Sequence, residues 1–335
     1  MATTNGQHLA LPKNSLILVT GATGYIASNI IAEALSIGYR VRGTIRSQSK
    51  ANETAKVFSS PRYETAIVSD MASPGAFDEA VKGVDAIIHT ASVMSFSPNP
   101  HDVVLATVAG AAGILASAAK EKSVKRFVYT SSSTAATIPK PNQRFKITKD
   151  TWNDEALVEA WKPPPYGDDR AFAVYAASKT EAERAVWKFV EEEKPSFTVN
   201  CVLPNANMGR VLASPGATGD WVRSVFLGNV PVDSPPQWMI DVIDDARIHI
   251  AAAIDVSLAN ERIFAFAHPY NWNDIIDAVQ KARPDKELPK HISDQARDLS
   301  EPDNDLGAQL LRKWWNQDGY KSLEQSVKEN LEGLA

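Results

Sequence analysis

Short apolar segments alternate with segments of helical periodicity over the first two-thirds of the chain, and this alternation limits the possible folds more than any other feature. The first apolar segment, 16–20, is followed by residues 24–37, in which apolar side chains recur at helical spacing. Repeated strand–helix–strand units need a parallel sheet with helices on both faces, because each right-handed crossover returns the chain to the same end of the sheet. The sequence therefore predicts an α/β fold with a doubly wound parallel sheet. Further strands are expected at 39–45, 63–69, 84–89, 126–130 and 197–203, with helices over 102–121 and about 173–193.

The alternation becomes irregular after Pro204, where stretches rich in proline and glycine occur at 214–219 and 231–236. We expect a dinucleotide-binding Rossmann domain and a smaller, mostly helical C-terminal lobe that binds substrate over the carboxyl edge of the sheet, where such sheets bind ligands. The Rossmann domain is assigned residues 1–204 plus about 240–267, and the lobe about 205–239 plus 268–335. Elements predicted in this part are a helix over 238–254, a strand over 262–267, and helices near 272–283 and 322–333.

Composition limits the cellular compartment and the classes of binding partner that we expect. The formal net charge is −5, so no basic stripe is available for a nucleic-acid backbone, and no nucleic-acid partner is expected. Cys201 is the only cysteine of the 335 residues and cannot form an internal disulfide, which fits a reducing compartment. No secretory signal is recognised in residues 1–14, and the first apolar segment is too short to cross a bilayer. We therefore expect a cytoplasmic protein with no membrane contact and no metal site.

A glycine pair follows the first predicted strand and opens the first predicted helix, in the run Thr20-Gly-Ala-Thr-Gly-Tyr-Ile-Ala27. Glycines at this place let the backbone turn tightly and approach a pyrophosphate, whose charge suits the free N–H groups of the helix N-terminus. The strand and helix on either side are the context that gives this short motif its meaning. The residues of this turn expected to contact a dinucleotide are Thr20, Gly21, Thr23, Gly24, Tyr25 and Ile26.

The end of the second predicted strand indicates which dinucleotide is bound. Sites for NAD place an acidic residue here for the ribose 2′-hydroxyl, but this strand end has Arg46, with Lys50 one turn further on. Two cations suit a 2′-phosphate, so the sequence predicts NADP, used as NADPH. The alternative is a solvated basic loop.

Two further strand ends supply candidate cofactor contacts. Asp70 follows the third strand and is expected to bond the adenine amino group, with Met71 against the ring; a lone acid there could instead cap the next turn. Small residues end the fourth strand and would let the cofactor lie close to the sheet: Thr90, Ala91 and Ser92.

Tyr175 and Lys179 are four residues apart in the helix before the sixth strand, so they share one helical face. The fifth strand ends in the run Thr130-Ser-Ser-Ser133. A free phenol has a pKa of about 10, and a neighbouring ammonium lowers it. Tyr175 could then give a proton to a carbonyl oxygen while a nicotinamide delivers hydride to the carbon, with a strand-five serine stabilising the developing charge. Lys179 would also hold the nicotinamide ribose.

These motifs, in this order and over this length, resemble those of the extended short-chain dehydrogenase/reductase family. Within it the chain is most similar to NADPH-dependent aldehyde and carbonyl reductases close to dihydroflavonol reductases. The resemblance implies that the catalytic serine is Ser132, with Ser131 and Ser133 as alternatives, and that Pro204 contacts the nicotinamide. Many relatives have arginine before that proline and Gly-Pro after it, whereas this chain has Leu203 and Asn205. The matching stretches are 16–27, 41–47, 126–132, 174–187 and 203–205.

The substrate is expected to be a hydrophobic aldehyde or ketone, keto esters included, because an apolar pocket with few polar groups suits such a molecule. Aromatic side chains at these places are as often core as pocket. The resulting candidates for the substrate pocket are Val93, Phe96, Phe172, Trp221, Gln237 and Trp238.

Two other functions share parts of this pattern. A nucleotide-sugar epimerase or dehydratase has the same fold and Tyr/Lys pair but keeps its cofactor tightly bound. A non-catalytic NADP-binding redox sensor tends to lose the tyrosine that this chain retains. The sequence favours the reductase and leaves the oligomeric state, monomer or homodimer, open.

Overall fold

The computed structural model describes residues 8–334, and a seven-stranded parallel sheet forms its centre. The strands in chain order are β1 Leu16–Val19, β2 Arg40–Ile45, β3 Tyr63–Ile67, β4 Ala86–His89, β5 Arg126–Thr130, β6 Lys146–Ile147, β7 Thr198–Pro204, β8 Ala206–Met208, β9 Gln237–Asp241, β10 Arg262–Ala265, β11 His268–Tyr270 and β12 Glu301–Pro302. The central sheet has the order β10-β7-β5-β4-β1-β2-β3, and every pair in it is parallel. The predicted α/β class with a doubly wound sheet is confirmed.

Ten helices accompany these strands within residues 8–334. They are α1 Tyr25–Ser36, α2 Gln48–Phe58, α3 Pro100–Lys120, α4 Asp154–Ala160, α5 Ala171–Glu193, α6 Gly216–Phe226, α7 Val242–Ile254, α8 Trp272–Ala282, α9 Asp305–Trp315 and α10 Leu323–Asn330. Helices α1 and α7 pack together on one face of the central sheet, and α3 and α5 on the other.

Each face of the sheet has its own apolar core because side chains alternate along a strand. In β1, Ile17 and Val19 pack on the face of α1 and α7, whereas Leu16 and Leu18 pack on the face of α3 and α5. These side chains are at most 3% exposed. A strand buried on both faces reads as a continuous apolar run, which is why β1 was recognisable in the sequence.

One predicted element begins in the wrong place. The helix expected from residue 238 starts at Val242, because residues 237–241 form β9 instead. This strand pairs with β8 on one side and β11 on the other, and Asp241 then caps α7 by accepting hydrogen bonds from the Ile243 and Asp244 amides. Long-range pairing thus overrides the local helical pattern. The helices α2, α4, α6 and α9 were not expected at all.

The three-stranded sheet β11-β9-β8 lies outside the central sheet. Its strands come from residues 206–208, 237–241 and 268–270, whereas the central sheet uses residues 16–204 and 262–265. The division into a Rossmann domain and a smaller lobe stays a prediction, and β9 crosses its expected boundary near residue 240.

Helix α3 is the one helix within residues 8–334 that is long and apolar enough to cross a membrane by length and composition. Half of its most apolar stretch is buried inside the structure, where the helix packs against α5. A core helix of an α/β sheet meets the same criteria.

Candidate active site

The serines after β5 point to different partners. Ser131 Oγ donates a hydrogen bond to the buried Glu183 carboxylate at 2.6 Å. Ser132 Oγ accepts hydrogen bonds from the Thr134 amide at 3.2 Å and the Thr134 hydroxyl at 3.0 Å. Ser132 is also the side chain that interacts with the Tyr175 phenol. The structure therefore brings Ser132, rather than Ser131, together with Tyr175.

Helix α5 carries the tyrosine and the lysine at the carboxyl edge of the sheet. Lys179 is 5% exposed, and its Nζ lies 3.5 Å from the Thr130 carbonyl oxygen, its hydrogen-bond acceptor at the end of β5. Burial lowers the pKa of Lys179 to about 8, against which the Glu183 carboxylate one turn further along the helix acts to raise it. Below that pH the lysine is an ammonium.

The expected lowering of the tyrosine pKa is wrong for this structure. The pKa of Tyr175 is raised, because loss of solvent around the phenol disfavours the phenolate, and the interaction with Ser132 only partly opposes this. Tyr175 therefore holds its proton near neutral pH. A phenol of this kind suits the role of proton donor to a carbonyl oxygen rather than that of a standing base.

Two phenylalanines flank the Tyr175 ring. The Phe96 ring centroid lies 5.2 Å and the Phe172 ring centroid 6.3 Å from that of Tyr175. Both are exposed, 40% and 44% respectively, so neither belongs to the core. Phe96 has a φ of 49°, in the left-handed region that a bulky residue seldom adopts. These two predicted pocket residues line the approach to the tyrosine.

The other predicted pocket residues lie in different surroundings. The Trp238 indole donates to Ser300 Oγ at 3.0 Å, and the same side chain lines a small cavity next to Ser133 and Asn205. Gln237 donates to the neighbouring Pro235 carbonyl at 3.3 Å. Val93 packs on the apolar cluster between α3 and α5.

Trp221 was misassigned to the pocket. Its ring packs edge-on against Trp272 at 5.8 Å, beside the main core, because α6 lays this side chain on α8.

The glycine turn after β1 has the geometry that a phosphate needs. Gly21 has a φ of +70°, and a Cβ at this position would lie 3.4 Å from the Ala91 backbone. Gly24 is the N-cap of α1, yet no side chain caps this helix and no acidic residue occupies its first turn. The N–H groups of the first turn, including that of Ile26, are therefore left for an anionic ligand, and Thr23 lies in the turn just before the N-cap.

Tyr25 departs from its predicted role. Its hydroxyl donates to the Gly209 carbonyl at 2.7 Å, and its ring packs against Gly216 and Gly219 of the lobe. The side chain thus fastens α1 to the lobe, and only the Tyr25 backbone remains for a phosphate.

Threonines join the ends of β1 and β4 beside this turn. Thr20 Oγ1 accepts hydrogen bonds from the Thr90 and Ala91 amides at 3.0 Å and pairs with His89 Nδ1 at 2.9 Å. Thr90 in turn donates its hydroxyl to the Thr20 carbonyl. The Thr20 side chain is fully buried, so it supports the cleft by holding the end of β4 in place. Ser92 Oγ, by contrast, is buried and has no hydrogen-bond partner within residues 8–334, so its hydrogen-bonding capacity is unused there.

Arg46 lies exposed at the end of β2 and has no hydrogen-bond or ion-pair partner within the described residues. Lys50, by contrast, pairs with Glu53 at 2.6 Å, and its amide is engaged by Ser47, the N-cap of α2. Arg42, within β2, is held by Glu64 at 2.7 Å and by backbone carbonyls. An unpaired guanidinium at this strand end fits a 2′-phosphate.

Asp70 adopts the alternative that the sequence left open for it. The Asp70 carboxylate accepts hydrogen bonds from the Ala72 amide at 3.0 Å and the Ser73 hydroxyl at 2.7 Å, so it caps the turn after β3. These bonds lower the Asp70 pKa, Ser73 contributing most. The Met71 side chain packs on Gly110 of α3. An adenine contact by either residue stays a prediction.

The residues at the carboxyl edge fit a dinucleotide. The uncapped N-terminus of α1 suits the pyrophosphate, and the unpaired Arg46 suits the 2′-phosphate. The Ser92 hydroxyl, which has no partner within residues 8–334, suits a further polar group of the cofactor. Pro204 ends β7 at the same edge, next to β10. Within the part of the chain that the structure describes, no group of three acidic, histidine or cysteine side chains is arranged to hold a metal ion.

Sequence reasoning overlooked Glu183 as part of this site. Its signal was present, because Glu183 follows Lys179 by four residues and so lies on the same helical face. It also overlooked His249, whose Nε2 pairs with the Thr130 hydroxyl at 2.8 Å. No local pattern pointed to this contact, since 119 residues separate the two.

A parallel sheet with a phosphate-binding turn and a Tyr–Lys–Ser group at its carboxyl edge is the arrangement of short-chain dehydrogenases/reductases. The model of the NAD dependent epimerase/dehydratase family matches residues 17–209. The chain belongs to this family, the extended branch of the short-chain dehydrogenases/reductases.

Relatives of similar length support this assignment. The chain is 39% identical to aldehyde reductase 2 of Sporidiobolus salmonicolor, with 95% of this chain and 96% of the relative covered. It is 35% identical to ketoreductase adrE of Penicillium roqueforti, with 98% and 99% covered. Among solved structures, Gre2 of Candida albicans in complex with NADPH superposes with a TM-score of 0.82 at 24% identity, with 95% and 98% covered, which bears on the fold alone.

Proposed function

We propose that the protein reduces an aldehyde or a ketone, keto esters included, to the alcohol with NADPH. The observation that carries this proposal is the meeting of Ser132 and the proton-bearing Tyr175 at the carboxyl edge, with the buried Lys179 one helical turn away. The relatives named aldehyde reductase and ketoreductase act on the same chemical group and support it.

In this reaction NADPH, when bound, supplies the hydride to the carbonyl carbon. Tyr175 gives its phenolic proton to the carbonyl oxygen, and the Ser132 hydroxyl stabilises the negative charge that develops on that oxygen. Lys179, charged below pH of about 8, favours the transient phenolate electrostatically. Phe96 and Phe172 keep water from the tyrosine and present an apolar surface to the substrate.

The cofactor preference rests on Arg46. Its guanidinium has no partner within residues 8–334 and stands where a 2′-phosphate would be bound, and no acidic residue is present at this strand end to bind a 2′-hydroxyl. Thr23, Gly24 and the Tyr25 and Ile26 backbones would hold the pyrophosphate.

The decisive experiment is a substrate panel of aldehydes, aryl ketones, β-keto esters and dihydroflavonols, followed by loss of NADPH absorbance, with NADH in parallel. We expect stoichiometric oxidation of NADPH with one or more carbonyl compounds. If no panel member consumes NADPH while a nucleotide sugar is converted without net oxidation, the proposal is wrong and the epimerase or dehydratase reading is right.

We propose that the protein is cytoplasmic. A cytoplasmic location is supported by the single, buried thiol of Cys201 in β7, which suits a reducing compartment. We propose a small-molecule substrate as the principal partner, without nucleic acid or membrane, and a monomer or homodimer. Cell fractionation tests the location, and the mass of the protein in solution tests the oligomeric state.

A further inference from the structure

Glu183 is a buried carboxylate that accepts hydrogen bonds from three side chains. It lies in α5 with a fully buried side chain. Ser131 donates at 2.6 Å, Trp187 at 3.1 Å, and Arg262 through Nε at 2.6 Å and Nη2 at 3.3 Å. A buried charge is retained only where such partners offset the loss of its hydration. The carboxylate is therefore fixed in position by elements from three parts of the fold.

The position of Glu183 relates it to every proposed catalytic group. It follows Lys179 by one helical turn, so the two buried side chains are neighbours on the same face of α5. Its partner Ser131 is the residue directly before Ser132, at the end of β5. Glu183 thus links the helix that carries the tyrosine and lysine to the segment that carries the serine.

Arg262 extends this link to the segment before α5. Its Nη1 donates to the Lys149 and Thr151 carbonyls, the latter at 2.9 Å, and its guanidinium lies 4.0 Å over the Trp152 ring. The Arg262 side chain is 6% exposed. The Glu183–Arg262 pair therefore fastens the irregular chain around residue 150 to the sheet beneath the site.

The charged groups around Lys179 and Glu183 are few. On β4, His89 faces Lys179, but burial lowers the His89 pKa to about 3, so the imidazole is neutral. On β5 and β7, Tyr129 and Cys201 face Glu183, and burial raises both pKa values well above the ordinary range, so neither ionises near neutral pH. Tyr175 is neutral as well. Arg262 from β10 is the cation that pairs with Glu183, and among residues 8–334 Glu183 is the carboxylate that acts on the Lys179 pKa.

We propose that Glu183 is a positioning residue of the active site: its carboxylate maintains the positive charge on Lys179 and, through Ser131, holds Ser132 against α5. The role of Ser132 in this statement rests on the proposed reduction. The charge on Lys179 is a property of the protein itself and can be measured without any substrate.

The test compares Glu183→Gln with Trp187→Phe. Glutamine keeps an oxygen to accept from Ser131 but removes the charge. Trp187→Phe removes a hydrogen bond to Glu183 from the same helix and leaves the charge in place. The ionisation of Lys179 is followed by NMR on protein with isotope-labelled lysine side chains, the Lys179 signal being assigned by its absence in Lys179→Met.

We expect the titration midpoint of Lys179 in Glu183→Gln to fall by roughly 1 pH unit below the wild-type value, as for loss of a neighbouring opposite charge. In Trp187→Phe it should stay at the wild-type value, even if that variant unfolds at a lower temperature. An unchanged midpoint in Glu183→Gln, or equal movement in both variants, would overturn the proposal, because a purely structural contact would act alike in the two.

Glu183→Gln leaves Arg262 buried without its carboxylate and could fail to fold. The double variant Glu183→Gln/Arg262→Met removes both charges and covers this case. Its Lys179 midpoint should still lie below the wild-type value, since Glu183, and not Arg262, is the charge that acts on the Lys179 pKa; a midpoint at or above wild type contradicts the proposal.

Activity gives a second readout that separates this proposal from the reductase function. If NADPH-dependent reduction is present, the alkaline limb of kcat/KM should move to lower pH in Glu183→Gln by the same amount as the NMR midpoint. If no carbonyl compound is reduced, the proposed function fails, while the NMR comparison still decides whether Glu183 controls the lysine.

Discussion

The Ser131 hydroxyl lies 2.6 Å from the buried Glu183 carboxylate, whereas Ser132 accepts its hydrogen bonds from Thr134 and interacts with Tyr175. Neighbouring serines in one short segment are thereby given different tasks. Ser131 binds a buried carboxylate inside the protein, and Ser132 contacts Tyr175 in the proposed active site.

Substitution of each serine by alanine should separate these tasks. Ser132→Ala should lower kcat roughly 10²- to 10³-fold, because one donor to the developing oxyanion is lost. Ser131→Ala should lower the free energy of unfolding by about 1–3 kcal/mol, since a hydrogen bond to a charged group is lost, with a smaller effect on kcat. Steady-state kinetics and chemical unfolding measure both quantities. A larger loss of kcat in Ser131→Ala would reverse the assignment.

Tyr175→Phe removes the proposed proton donor without changing the ring. We expect turnover to fall by about 10²-fold or more, with NADPH binding largely intact, because proton transfer is lost and the cofactor contacts are not. NADPH fluorescence titration and single-turnover kinetics provide the two measurements. A near-normal rate would remove Tyr175 from this role.

Arg46→Ala tests the cofactor preference. Loss of a charge-assisted bond to the 2′-phosphate should weaken NADPH binding roughly tenfold to a hundredfold and leave NADH binding little changed. Arg40→Ala is the matched control, because it removes an equally exposed arginine at the other end of β2. Equal weakening of both cofactors in Arg46→Ala would place the 2′-phosphate elsewhere.

The lowered pKa of Lys179 predicts a pH dependence with a definite sign. The ammonium is lost as pH rises through about 8, so kcat/KM for carbonyl reduction should decline above that pH. The unfolded chain keeps this proton up to the ordinary value of 10.5, so this group makes the free energy of unfolding increase with pH between the two values. A pH–rate profile that stays flat to near pH 10.5 would show that the charge on Lys179 is not required.

The aromatic pair at the tyrosine predicts the substrate preference. Phe172→Ala should raise KM for aryl ketones more than for small aliphatic aldehydes, because apolar contact area is lost only by the larger substrate. Comparison of KM across the substrate panel checks this. Val158→Ala, an exposed apolar residue in α4, is the control and should change neither value.

The motifs that could be read from the sequence are those in which neighbours along the chain are neighbours in space. The turn from β1 into α1 joins residues a few positions apart, and the spacing of Tyr175 and Lys179 follows from one helical turn. The central strands were recognisable because burial on both faces leaves a continuous apolar run. Bounds at the ends of these elements differ by a few residues, since helix and strand ends depend on caps and pairing.

Several features that sequence reasoning missed depend on contacts between distant segments. β9 forms because β8 and β11 pair with it, although its residues extend the helical pattern of α7. Trp221 was expected to line the pocket, but the position of α8 places it beside the main core, against Trp272. Nothing near Tyr25 in the sequence indicates that its hydroxyl binds Gly209.

The sequence by itself determined the class of fold, the phosphate-binding turn and the candidate Tyr–Lys pair, because hydrophobic periodicity and short spacings encode local geometry. Only the tertiary structure decided which serine faces Tyr175, that Arg262 pairs with Glu183, and that burial raises the pKa of the phenol. Hydrogen-bond partners and desolvation depend on which distant segments exclude water from a group, and no local pattern carries that information.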